Sequence, residues 1–175
     1  MEEQLQEQST ENKEVINIEA AINSRVDRAT QAHSTVNKYS LGSMAVAIVP
    51  LPLVDLAALS GVQVKMVHSI AKQYEVPFSR NFVKPLIASL LGDIITITMT
   101  KYVATNLIKL VPIAGQVSSF ASSAALFGAA TYAVGKIFVE HFESGGTFLN
   151  FEADKMKDHL HQLFEEGQKF VASSK

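Results

Sequence analysis

Two long uncharged stretches, each broken by proline, limit what this chain can fold into. Sixteen residues separate Lys38 from Asp55, and twenty-six separate Lys109 from Lys136, with no charged side chain in either interval. The first interval holds Pro50-Leu51-Pro52, and the second begins around Val111-Pro112-Ile113. Each proline removes a backbone donor and disfavours helix in the residue before it, so neither run continues as one straight helix. The chain is expected to turn at both places, each turn forming the apolar tip of a helical hairpin.

The remaining pattern is helical. Val15, Ile18, Ala21, Ile22, Val26 and Ala29 recur at the spacing of one helix face, which predicts an amphipathic helix over residues 15–36 with a bend at 37–42. Helices are predicted over 53–74, with Asp55 in the first turn, and over 81–110, with Pro85 near its start. The β-branched run Ile94-Ile95-Thr96-Ile97-Thr98 lies inside that longer helical pattern, which takes precedence over local propensity. A fourth helix reaches about residue 142, and Ser144-Gly145-Gly146-Thr147 is a loop. A last amphipathic helix over 152–171 carries Met156, Leu160, Leu163, Phe164 and Val171 on one face. Residues 1–14, with five Glu and one Lys among Gln, Ser, Thr and Asn, are expected to form a disordered acidic tail. The expected fold is therefore all-α: two proline-tipped helical hairpins packed as a bundle, with flanking N- and C-terminal amphipathic helices in one domain over 15–175.

Composition narrows the function classes. Hydrophobic residues make up 47% of the chain and charged residues 18%, below the roughly 25% usual for soluble domains. That balance puts the chain between a very apolar soluble bundle and a membrane protein. A net charge of −2 with scattered basic residues argues against nucleic acid as a partner. The absence of cysteine excludes disulfides, thiolate metal sites and thiol catalysis. The acidic start lacks the basic and apolar pattern of a secretory leader, so membrane contact is expected through internal segments from the cytoplasmic side.

Fifteen of the 22 residues from Ala114 to Gly135 are Ala, Gly, Ser or Thr. Small residues four apart let helices approach closely, inside lipid or in a tight soluble bundle. Gly61, Gly128, Thr131, Tyr132 and Gly135 are the candidate packing residues, and Pro50, Pro52, Asp55, Pro112 and Gly115 the candidate tip residues. Gly61, Val67 and Ile70 share their mutual spacing with Gly128, Val134 and Ile137, a weak internal repeat. No catalytic set, cofactor site or metal site is indicated. The stretch from Gly128 to Lys136 fails as a phosphate loop, having six residues between its glycines and Ile137 in place of Ser or Thr. His159 and His161 diverge on a helix, and Asp93 is expected to be a buried, paired carboxylate.

Pro50-Leu51-Pro52-Leu53-Val54-Asp55, followed by Gln63-Val64-Lys65-Met66 and Tyr74, resembles the signature of a bacterial GTPase-associated domain-of-unknown-function family, YcjF-like. Lys109 to Gly115 and Thr131-Tyr132-Ala133-Val134-Gly135-Lys136 are similar to that family's later segments, so the likeness covers about residues 40–147. Glu75 stands where the family commonly has glycine, which bears on how the second helix is capped. The resemblance implies an inner-membrane-associated protein working with a P-loop GTPase, and no catalytic residues.

These observations lead to a non-enzymatic, membrane-associated helical protein on the cytoplasmic membrane, facing the cytoplasm. Its expected partners are membrane lipid and, through the two amphipathic helices, a P-loop GTPase acting in trans or another copy of the chain. The alternatives are a soluble cytoplasmic bundle that forms a homo-oligomer, and a membrane-permeabilising protein lined by Ser118, Ser119, Ser122 and Ser123.

Overall fold

The computed structural model describes residues 2–46, 54–106 and 116–174, with side chains over 13–45, 58–96, 98 and 124–174. The described residues form helices α1 (Glu2–Val46), α2 (Val54–Gln73), α3 (Arg80–Asn106), α4 (Gln116–Glu143) and α5 (Lys157–Ser173), with a 3-10 turn at Ala153–Met156 before α5. No strand occurs among them, and the β-branched run 94–98 lies within α3.

Cross-helix contacts set the topology. Gln73 donates to Thr35 at 2.9 Å and Tyr39 lies 3.4 Å from Ser69, so α1 and α2 run antiparallel. Gln63 meets Thr131 and Tyr74 meets Glu143, so α2 and α4 run the same way. Val171 lies by Gly128 and His159 by Glu140, making α5 antiparallel to α4. Helix α4 is the centre, packing on α1, α5 and α2, and more lightly on α3. Its small residues explain this position. Ala129, Ala130, Ala133 and Val134 are buried and leave room for neighbours to come close, while Phe127, Phe138 and Phe142 fill the gaps. On α5, Leu160, Leu163, Phe164 and Val171 face α4 as their spacing predicts, joined by Gly167.

Helix α1 differs from the sequence expectation in two ways. It runs without a break through 37–42, because Ser40 and Ser43 turn their hydroxyls onto the helix's own carbonyls, at Val36 and Ser40 (2.8 Å each), and so bury without cost in orphaned donors. Its bounds also take in residues 2–14, where a disordered tail was expected. Gln, Glu and Leu are good helix formers, and acidic residues at a helix start are favoured by the dipole. Among the described residues, no helix is long and apolar enough to cross a membrane.

Candidate functional site: a cleft between two helix caps

The end of the bundle formed by residues 74–79 and 144–152, here the base, is closed by two matching caps. At the end of α2, the Val76 N–H bonds the Ala71 carbonyl at 2.9 Å, and the Glu75 N–H reaches Lys72 at 3.4 Å. At the end of α4, the Gly146 N–H bonds His141 at 2.9 Å and the Gly145 N–H bonds Phe142 at 3.0 Å. Both are Schellman motifs, which need one left-handed residue. Gly145 takes that conformation at φ 84°, and Glu75 takes it at φ 57°. The cap therefore forms with glutamate where the resembled family has glycine, at a strain of roughly 1–2 kcal/mol for a side chain in that region.

The caps are tied together. The Tyr74 hydroxyl donates to Glu143 Oε1 at 3.0 Å, and burial, helped by that carboxylate, pushes the phenol well above its ordinary range, so it stays protonated. His141 Nε2 donates to the Thr147 carbonyl at 2.9 Å and lies 3.2 Å from Asn150 Oδ1, which also accepts from the Thr147 N–H at 2.6 Å. The imidazole fills the space over Gly146, where a Cβ would collide with the ring. Beneath, Phe138 stacks on Phe151 with centroids 4.7 Å apart, and Phe78, Phe142 and Phe148 close the cluster by edge contacts.

Between these caps and α1 lies a cleft of about 700 Å³. Arg25, Val26, Arg28 and Ala29 form one wall, Tyr74 to Pro77 the second, and Phe142, Glu143 and Gly145 to Thr147 the third. The Arg28 guanidinium sits 5.8 Å from the Tyr74 ring centroid. Two arginines oppose Glu75 and Glu143 across apolar walls, which suits a peptide or helix of mixed character. The cleft contains no nucleophile paired with a base. Among the described residues no cluster of His, Asp or Glu is arranged to hold a metal.

The sequence-predicted residues divide clearly. Pro50, Pro52, Pro112 and Gly115 lie outside the described residues. Asp55 is in the first turn of α2, its side chain outside the described set. The packing candidates meet around α4. Gly135 faces Val36 and the Met66 sulfur, with 2.8–2.9 Å between those atoms and an added Cβ, and Gly128 faces Val171 and Met44 at 2.7 and 2.9 Å. Thr131 accepts from buried Gln63 at 3.5 Å, and Tyr132 stacks on Phe170 at 5.2 Å between centroids. Gly61 departs from expectation: an added Cβ meets nothing within 4 Å, so it sets no close approach. Asp93 is half-buried and lies 3.6 Å from Lys157. Sequence reasoning missed Gly167 and the arginine wall, and left open whether Glu75 closes its cap. A lone glycine in an amphipathic helix was the signal for the first; nothing local marked the arginines.

What emerges is an all-α bundle with a cleft between two helix caps. The chain belongs to the family described as Domain of unknown function (DUF697), whose model matches residues 11–169, beyond both ends of the motif-bearing region. It is also similar to Magnetosome membrane protein 22 of Magnetospirillum gryphiswaldense, at 36% identity over 150 residues, covering 86% of this chain and 77% of that protein. No solved structure matches it.

Proposed function

We propose that the chain is a membrane-associated, non-enzymatic accessory protein on the cytoplasmic face of the membrane, acting beside a P-loop GTPase supplied in trans. The observation that carries the membrane half is the likeness, over 86% of the chain, to a protein named for the magnetosome membrane. The polarity of the bundle supports it. Helices α1 and α3 end, and α2 and α4 begin, at the end away from the base, next to the largely apolar proline-bearing segments. In this reading Pro50, Pro52, Pro112 and Gly115 seat together in the lipid headgroup region, with Asp55 at the rim. The GTPase half rests on the resemblance in residues 40–147 and on the lack of a phosphate loop in the sequence. The base cleft, with its paired arginines and glutamates, is the surface offered to that partner.

The test is fractionation of the untagged protein from its own cells, washing membranes with high salt and then alkaline carbonate. Retention through both washes, lost when Pro50 and Pro52 become alanine while helicity is kept, is the expected result. Release by salt alone, or unchanged partitioning of the proline variant, refutes tip anchoring. Co-purification of a GTPase from detergent extract, abolished by Arg28→Glu, is expected for the partner half, and capture insensitive to that change refutes the cleft as its site.

A further inference from the structure

The arm of α1 that leaves the bundle carries an apolar stripe that no described residue covers. From Lys13 to Asp27 every residue is exposed, including Val15 (48%), Ile18 (59%), Ile22 (53%) and Val26 (58%). At 100° per residue these four fall on the same face as Ala32, Val36, Ser40 and Ser43, which α4 and its neighbours bury completely. One continuous seam is thus covered in its second half and bare in its first.

We infer that the bare half is covered by the same segment of a second copy, paired antiparallel. The charges select this occupant. About a dyad between Ala20 and Ala21, Val15 of one copy meets Val26 of the other and Ile18 meets Ile22, giving four apolar layers. On one flank of that pairing Glu14 falls between Arg25 and Arg28 of the other copy, and this happens twice by symmetry. Among the described residues neither arginine has a carboxylate partner within its own chain. Parallel pairing loses these contacts and sets Glu14 beside Glu19. A lipid surface is disfavoured too, because residues 2–28 hold seven acidic and three basic side chains, and an anionic bilayer repels that balance. On the opposite flank Glu19 approaches its own copy, a repulsion that keeps the pairing weak. Four layers also lie at the small end of specific interfaces, below about 1,200 Å², so the dimer is dynamic.

Sedimentation velocity on the full chain, across the micromolar range and at two salt concentrations, tests this. A salt-sensitive monomer–dimer equilibrium is expected, weakened at least ~10-fold by Ile22→Asp and strengthened by Glu19→Gln. Glu14→Arg and the double change Arg25→Glu/Arg28→Glu should each dissociate the dimer, and mixing the two variants should restore it, since every cross-pair is then opposite in sign. Ile22 touches nothing in the bundle, so circular dichroism of the variants should be unchanged. A chain monomeric throughout, a dimer indifferent to Ile22→Asp, or a mixture that stays dissociated overturns the proposal. So does a monomer that pellets through Ile22 with phosphatidylglycerol vesicles, which would assign the stripe to lipid.

Discussion

Alanine at Gly167 and at Gly61 should shift stability in opposite directions, although both are glycine-to-alanine changes inside helices. In α5, a Cβ on Gly167 would lie 2.8 Å from the Ala129 carbonyl oxygen and 3.0 Å from its Cα. Those are backbone atoms of the central helix, so no rotamer change relieves them, and α5 must move off α4. Overpacking of this kind costs about 1–3 kcal/mol. The helix gains roughly 1 kcal/mol from losing a glycine, leaving a net loss of up to ~2 kcal/mol. For a chain of this size each kcal/mol moves the melting point by about 2–4 °C, so Gly167→Ala should melt up to ~8 °C lower. Gly61 has open space where its Cβ would go. It keeps the whole propensity gain and should melt about 2–4 °C higher. Thermal unfolding followed by circular dichroism measures both. A Gly167 variant at or above the parent, or a Gly61 variant as damaged as it, would refute the assignment of α5–α4 contact to that glycine.

Glu75→Gly should stabilise the chain by about 0.5–1 kcal/mol in urea unfolding, since relief of left-handed strain exceeds the added entropy of the unfolded glycine. Thr131→Val should cost ~1–3 kcal/mol, because it leaves the fully buried Gln63 amide without the hydroxyl it donates to, whereas Gln63→Met removes the polar group altogether and should be close to neutral. His159 is raised above its ordinary 6.5 chiefly by its hydrogen bond to Glu140. Its contribution is therefore full below 6.5 and lost as pH rises through the raised value, so the stability gap between parent and His159→Gln should close on going alkaline. His33 is lowered by burial and by Lys136, whose ammonium lies 3.4 Å from Nδ1. Its contribution is present above 6.5 and lost as pH falls, so His33→Asn should flatten the acid side of the stability profile.

Much of the fold was legible because helix periodicity is a local signal. The spacing of Leu160, Leu163, Phe164 and Val171 predicted the buried face of α5, and prolines with the Ser144 to Thr147 loop marked where helices end. The continuity of α1 through residues 37–42 was not legible. Asn, Ser and Gly argue for a break, and only the cover of α4 and the back-bonded serines hold the helix there. The base cleft was least visible of all. Its walls come from three segments separated by more than forty residues, and the cap at Glu75 uses a conformation that its residue type disfavours. Charge reading marked Arg25 and Arg28 only as scattered basic residues.

The motifs behind the family resemblance have a structural meaning that spacing alone did not convey. Gln63 and Met66 come from one motif, Thr131 and Gly135 from another. They meet as two rungs of a single contact, the Gln63 amide on the Thr131 hydroxyl and the Met66 sulfur over Gly135, with Val36 of α1 closing the same notch. Such residues fix the angle and register at which the first hairpin docks on the second. A change there alters how the hairpins sit rather than removing a reacting group. Substituting the notch at Gly135 with leucine should accordingly disturb everything that depends on hairpin alignment at once, tips and base cleft together. Arg28→Glu, at the far end of the bundle, should leave alignment and membrane partitioning intact and affect only what binds the cleft or pairs with the arm of α1. If the two substitutions gave the same pattern of loss, the notch could not be what coordinates the two ends.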